Sequence, residues 1–249
     1  TGVIMALPKI DVPIYNVKLI STGKSIRFRP FTVKEEKIFL MANESEDVQA
    51  IIDATKQVLH NCILDEVDIE ALPVFDIENI FLNIRARSVG EIINLRYKCN
   101  NDVKDEGSEE THKCNHIVDI ELNVLEIEPT FNEKNDKKIE ITDKMGFVMK
   151  FPSLEMLRNF TATSEVDAIL DLTVGCIDYI YDDENIYYAK DSTKDELVDF
   201  IESLMSKDLE KIKVFFDTMP KIKKDIEFKC SKCGHEETIE IEGIESFFV

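Results

Sequence analysis

Two cysteine stretches carry the chemistry legible in this chain. One is Tyr97-Lys98-Cys99, resumed at His112-Lys113-Cys114-Asn115-His116; the other is Phe228-Lys229-Cys230-Ser231-Lys232-Cys233-Gly234-His235. Thiolates are favoured donors for structural zinc, which takes four ligands at the corners of a tetrahedron. Cys230 and Cys233 have two residues between them and Gly234 behind them, a spacing that lets a tight turn aim both sulfurs at one point. The first stretch supplies the second pair if Lys113-Cys114-Asn115-His116 is the counterpart of Lys232-Cys233-Gly234-His235, so that Cys99 matches Cys230. The run between Cys99 and Cys114, rich in Asp, Glu, Gly and Ser, is expected to loop into solvent and leave the two cysteines adjacent. One structural Zn2+ site follows: Cys99, Cys114, Cys230 and Cys233. His112, His116 and His235 could each stand in for a thiolate, but four thiolates already complete the tetrahedron.

Other uses of cysteine fit less well. A Cys-x-x-Cys pair also serves thiol redox chemistry, but that use wants a βαβ setting and a helix starting after the motif, whereas here a strand pattern follows. Disulfides belong to oxidising compartments, and no secretory signal is present. Cys62 continues the apolar series Val48, Ile51, Ile52, Thr55, Leu59 at helical spacing, and Cys176 lies beside Ile169, Leu170, Thr173 and Ile177, so both are expected to be buried as small hydrophobes.

The elements that must position the four sulfurs are strands. Ile93, Leu95, Tyr97 and Cys99 alternate, as do Ile226, Phe228 and Cys230, and apolar alternation resumes in Ile117–Leu122 and Thr238–Ile241. Upstream, Asn16–Phe28 reads as a hairpin around Ser21-Thr22-Gly23-Lys24, closed by Pro30. Thr32 and Glu35 form a capping box that starts a helix, and further helices are expected at about Ser45–Cys62 and Asp76–Arg87. Pro129–Lys138 is polar and charged and marks a boundary. After it the order recurs: a hairpin over Lys138–Phe151, Pro152, a helix from Ser153, then helices over Lys194–Met205, capped by Thr193 with Glu196, and Lys207–Met219, then the second cysteine hairpin. Ser164–Asp171 also echoes Ser45–Asp53. The expected fold class is therefore α+β and internally duplicated, with halves over residues 5–135 and 136–249 joined by a zinc-ribbon-like site.

The formal net charge is −20 in 249 residues, with a pI near 4.6. Nucleic acid and anionic membranes both require local positive charge, so no nucleic-acid partner is expected. No apolar run is long enough to span a bilayer and no leader pattern is evident, so a soluble intracellular protein is expected. Neither a Gly-rich phosphate loop nor a nucleophile elbow is present, and four thiolates leave a zinc ion no open position, so the chain reads as a non-enzyme.

Arg29-Pro30-Phe31-Thr32-Val33-Lys34-Glu35-Glu36-Lys37-Ile38-Phe39-Leu40-Met41 and Ile84-Arg85-Ala86-Arg87-Ser88-Val89-Gly90-Glu91 resemble the baseplate hub assembly proteins of T-even-type contractile-tailed phages, and the Lys-Cys-x-x-Cys-Gly-His turn is similar to the same family. The resemblance implies a viral protein made in the host cytoplasm that acts in assembly of the central baseplate hub, as a chaperone or as a minor component. Its partners would be baseplate hub proteins, with self-association a further expectation. Alternatives are a structural component kept in the virion baseplate and a zinc-ribbon nucleic-acid-binding regulator. Expected partner-binding residues are Arg27, Arg29, Arg85 and Arg87, together with Phe247 and Phe248 and the extended Leu7–Tyr15 segment. The arginines could equally pair with the chain's own acids.

Overall fold

The computed structural model describes residues 10–45, 47–104, 110–158 and 165–243. It is a mixed α/β structure with seven α-helices and several small sheets among the described residues. The chain opens with the expected hairpin, β1 (Tyr15–Lys18) and β2 (Ser25–Phe28). Val17 pairs with Ile26 and Tyr15 with Phe28. Period-two alternation sends Val17, Ile26 and Phe28 inward, while Asn16, Lys18, Ser25 and Arg27 stay exposed. Gly23 has φ 70°, a left-handed value that tightens the turn, and its N–H donates to the Leu19 carbonyl.

Three helices pack on this hairpin: α1 (Val33–Glu44), α2 (Val48–Cys62) and α3 (Val74–Ser88). Their core gathers Leu19, Ile26, Phe28, Val58, Leu59, Cys62, Ile77, Ile80, Phe81 and Ile84. At the head of α1 the Glu35 carboxylate accepts from the Thr32 N–H and hydroxyl, the reciprocal half of a capping box, and also pairs with Arg29 at 3.0 Å. Those contacts outweigh burial and hold Glu35 down to about 2. The second helix begins at Val48, three residues later than the sequence suggests, because Asp47 caps it by accepting from the Gln49 N–H. Asp76 is fully buried in α3 and spends its carboxylate on the N–H groups of Ile20 and Ser21, fixing the hairpin to the helix.

Two longer hairpins follow in different parts of the chain. The first joins β3 (Ile92–Lys98) to β6 (Ile117–Asn123); the second joins β12 (Lys221–Lys229) to β13 (Glu236–Glu242). The segment between Cys99 and Cys114 is not simply a solvent loop: β4 (Asp102–Lys104) and β5 (Thr111–Lys113) pair as a small hairpin, Val103 opposite His112. The Pro129–Lys138 stretch holds β7 (Pro129–Thr130), which pairs with the start of β12. Between the long hairpins and α3 lies a second core of Phe75, Leu82, Ala86, Ile93, Leu122, Ile127, Ile222 and Ile241.

The remaining unit contains a four-stranded antiparallel sheet in the order β11-β10-β9-β8: β8 (Lys138–Glu140), β9 (Gly146–Met149), β10 (Ile177–Tyr181) and β11 (Ile186–Tyr188). The sequence pattern marks β8 and β9 but not β10 and β11. Helices α4 (Leu154–Arg158), α5 (Glu165–Gly175), α6 (Lys194–Glu202) and α7 (Ser206–Thr218) accompany the sheet. The core there comprises Ile139, Phe147, Met149, Cys176, Ile177, Leu197, Ile201, Ile212 and Phe215. Thr193 and Glu196 make both halves of the expected capping box. Phe151 joins the two units, edge-on to Phe75 of α3 at 5.1 Å and stacked on Phe215 of α7 at 5.6 Å. No helix among the described residues is long and apolar enough to cross a membrane.

Glu78 of α3 lies where that helix meets the second long hairpin. Burial raises its affinity for a proton, the Glu242 carboxylate raises it further, Lys221 opposes, and the group is pushed up to about 7 from an ordinary 4.5. A carboxyl that holds its proton better folded than unfolded favours folding at low pH and loses that advantage as pH rises from about 4.5 through about 7. Urea midpoints measured at pH 5 and pH 8 are expected to fall with pH in the parent protein, and the fall is expected to shrink in Glu78→Gln. An identical decline in both proteins would remove Glu78 from this role.

Candidate metal centre

The local chemistry starts at the ends of the long hairpins. Cys99 follows the last residue of β3 and Cys230 the last residue of β12, each at the end of an alternating strand that delivers its sulfur inward. The two turns share one hydrogen-bond pattern. The Cys99 N–H donates to the His116 carbonyl at 2.8 Å, and the Cys230 N–H donates to the His235 carbonyl at 2.8 Å. The Asn115 N–H then returns to the Cys99 carbonyl at 3.0 Å, as the Gly234 N–H returns to the Cys230 carbonyl at 2.8 Å. Closing such a turn needs a left-handed residue, and Asn115 (φ 52°) and Gly234 (φ 73°) supply it. Asn tolerates this conformation better than other side chains, which is how the first turn closes without glycine.

The turns face each other. Cys99 Sγ lies 3.8 Å from Cys233 Sγ, Cys114 Sγ lies 3.8 Å from Cys230 Sγ, and all four sulfurs fall within 4.8 Å of one another. Bonds of ~2.3 Å to a tetrahedral zinc require sulfurs separated by about 3.8 Å. All four thiols are free of disulfides, and Cys99, Cys114 and Cys230 are buried, with Cys233 partly exposed. The structure thus brings Cys99, Cys114, Cys230 and Cys233, the four cysteines singled out by their turns, to one point. The residues fit a tetrahedral thiophilic ion, and such an ion would lie between the hairpins.

Contacts around the sulfurs fix the arrangement. Tyr97 and Phe228, equivalent positions two residues before each leading cysteine, pack with their rings tilted by 58° and their centroids 4.8 Å apart, and Tyr97 donates its hydroxyl to Glu237 at 3.0 Å. His116 Nε2 and Ser231 Oγ lie 2.8 Å apart, and Lys232 donates to the Cys114 carbonyl. His116 is thus engaged with the opposite turn. Neither His116 nor His235 belongs to the ligand cluster.

The protonation pattern suits metal capture. The His235 N–H, aimed at Cys233, overcomes burial and lowers that thiol to about 6, with the neighbouring thiols and Asn101 adding to the effect. Cys99 receives a similar bond from the Asn101 N–H, yet burial and the adjoining thiols push it up to about 12. Burial likewise raises Cys114. The thiol at Cys233 thus loses its proton most readily, beside the raised thiols of Cys99 and Cys114. A divalent cation would release those protons and stabilise all four in the charged form. Cys62 and Cys176 behave differently: burial, opposed by Arg29 and aided by Glu35 at Cys62 and opposed by Lys150 at Cys176, pushes them up to about 11 and about 12, so they are inert apolar thiols, as the helical spacing around them suggests.

The arginines sit elsewhere, each already engaged within the chain. Arg27 pairs with Asp65 at 2.7 Å, Arg29 with Glu35, and Arg87 with Glu91 at 2.7 Å, while Arg87 also lies over the Tyr15 ring. Arg85 is buried and donates to the Gly90 carbonyl. Phe247, Phe248 and the start of the Leu7–Tyr15 segment lie outside the described residues.

The family described as T4 bacteriophage base plate protein matches residues 12–249. No curated protein and no solved structure matches.

One zinc ion per chain is expected by elemental analysis of protein purified without chelator, and none in Cys99→Ser or Cys230→Ser. Structural zinc contributes on the order of 10 kcal/mol to folding in small zinc domains. Chelation should therefore strip amide-exchange protection from β3, β6, β12 and β13 while α1–α3 keep theirs, and Cys62→Ala should retain the ion. Metal-free protein with fully protected hairpins would refute the assignment.

Proposed function

The chain belongs to the T4 bacteriophage base plate protein family, and on that premise we propose that it is a non-enzymatic assembly factor for the central hub of the tail baseplate. The observation that carries the reading is the extent of the match: residues 12–249 take in the helical unit, the four-stranded sheet and both cysteine hairpins, so the baseplate role belongs to the chain as a whole. Its work is protein contact. One surface suited to it is the outer side of α1, where Val33, Leu40 and Met41, spaced i, i+7, i+8, are 71%, 57% and 69% exposed and form one stripe. A net charge of −20 would select among partners by repulsion and speed encounter with basic ones.

Within this reading the metal is zinc, held by Cys99, Cys114, Cys230 and Cys233. Its chemistry is structural, since four protein thiolates leave it no position for substrate. The ion clasps two halves that we take to be copies of one ancestral unit. Support comes from matched hydrogen bonds in corresponding places: those that close the turns at Cys99 and Cys230, and a second pair in which the Arg29 N–H donates to the Cys62 carbonyl and the Lys150 N–H to the Cys176 carbonyl. In both cases the residue after the cysteine bridges the preceding hairpin strand, Phe28 with Ile63 and Met149 with Ile177.

The test is to follow the protein through infection. Quantitative mass spectrometry of purified hub intermediates and of mature particles is expected to find it with the former and depleted from the latter. Stoichiometric recovery from mature particles would favour a retained structural component, and Cys230→Ser is expected to abolish recovery from intermediates.

A further inference from the structure

Each leading cysteine is followed, two residues on, by a side chain that crosses to the opposite turn. Asn101 stands two residues after Cys99, and its side-chain amide donates to Cys233 Sγ at 3.7 Å. Lys232 stands two residues after Cys230, and its ammonium donates to the Cys114 carbonyl at 3.4 Å. Cys233 and Cys114 are each the second cysteine of their turn, so the two contacts are reciprocal. They differ in what they reach: Lys232 meets a backbone oxygen, whereas Asn101 meets a sulfur. The Asn101 backbone is committed on its own side, its N–H aimed at Cys99 and its carbonyl accepting from the Cys114 N–H at 2.8 Å. One half-buried residue thus touches three of the four cysteines. The insert hairpin starts at the next residue, with Asp102 opposite Lys113 and their side chains paired at 2.9 Å, so β4 and β5 hold Asn101 beside Cys114.

The sulfur that Asn101 reaches is the one with the least protein around it. Cys99, Cys114 and Cys230 are 0%, 3% and 1% exposed, whereas Cys233 is partly exposed. Four thiolates around a divalent cation leave the centre net negative, so an N–H donor placed on a sulfur stabilises the bound state. A sulfur deprived of its donor is the readier to take up a proton or attack an electrophile. We infer that Asn101 is the positioning residue that keeps Cys233 on the metal, and that Cys233 is the arm through which the ion is gained and lost. This rests on the structural zinc site proposed above. It also gives the insert between the first two cysteines a role: the polar run there fixes a side chain on the exposed sulfur of the other turn. The contacts of a metal ligand's outer partners set how firmly the ligand is held, and here one such partner spans both hairpins.

Two measurements on the full chain test the idea: zinc affinity by competition with a chromogenic chelator, and initial rates of alkylation of the zinc-loaded protein by iodoacetamide, mapped to each cysteine by mass spectrometry. Asn101→Ala keeps both backbone contacts and is expected to take up the same amount of zinc, bound about 10- to 100-fold more weakly, the usual cost of losing an outer partner of a metal ligand. Asn101→Asp has the same shape without the donor and should weaken binding at least as much. In both variants the initial alkylation of Cys233 should rise by about tenfold or more, with Cys99, Cys114 and Cys230 reacting as in the parent. With a zinc-loaded parent, unchanged affinity in Asn101→Ala, a parent-like Asn101→Asp, or an acceleration shared equally by all four cysteines would each overturn this inference alone. A parent chain that takes up no zinc would overturn the metal reading and this inference with it.

Discussion

Four sulfur atoms must occupy a volume barely wider than one ion, and the chain supplies them from positions as far apart as Cys99 and Cys233, 134 residues distant. Closing so long a loop is less costly than its length suggests, because closure entropy grows only logarithmically, about 0.6 kcal/mol for each doubling. Desolvation is the harder problem. Cys99, Cys114 and Cys230 are almost wholly buried, and burial raises the thiols of Cys99 and Cys114 while the His235 N–H lowers that of Cys233. Every element between the two turns must therefore hold the hairpins opposed, and the core shared by Ile93, Leu122, Ile222 and Ile241 does this from below.

Neither hairpin could stand by itself. In β3 only Ile93 is fully buried, in β13 only Ile241, and toward the metal end the strands alternate between exposed and half-covered residues until the cysteines are reached. Two-stranded hairpins are marginal in water, and these are held at two points, the apolar floor against α3 and the tip where the four cysteines meet. Tyr97 on Phe228 bridges the span between. The cross-strand pairs Lys223–Glu240 and Lys229–Glu236 are exposed and add little.

Much of this was legible in the residues. Alternation at Ile93, Leu95, Tyr97 named the strands, the helical spacing around Leu59 and Phe81 named the first core, and matched Lys-Cys-x-His and Lys-Cys-Gly-His turns named the four cysteines that converge. What escaped was short or exposed. The strands β10 and β11 span Ile177–Tyr181 and Ile186–Tyr188, where half-exposed tyrosines replace a clean inward-outward pattern and Asp182-Asp183-Glu184 reads as solvated surface rather than as a hairpin turn. The insert hairpin of β4 and β5 escaped for the same reason, since three-residue strands of Asp, Val, Lys, Thr and His carry no periodic signal. Among the arginines, Arg85 looked like surface charge but is buried against the Gly90 carbonyl, a contact set by how α3 ends rather than by any pattern around it.

The placement of charge explains how one chain can be strongly acidic yet engage other proteins. Several lysines lie over aromatic rings or beside carboxylates: Lys137 over Phe151, Lys138 over Tyr181 and beside Glu140, Lys190 over Tyr188, Lys194 against Asp171. Two of these cations, Lys138 and Lys190, lie over tyrosines of the four-stranded sheet. The uncovered stripe of α1, by contrast, carries Val33, Leu40 and Met41 with Glu35 already paired beneath it. Long-range repulsion from the remaining acids falls off over about 8 Å at physiological salt, so it disfavours loose, non-specific contact more than a close-fitting one. Contacts that bury apolar side chains and answer individual charges can thus form at these two faces while the rest of the surface resists association.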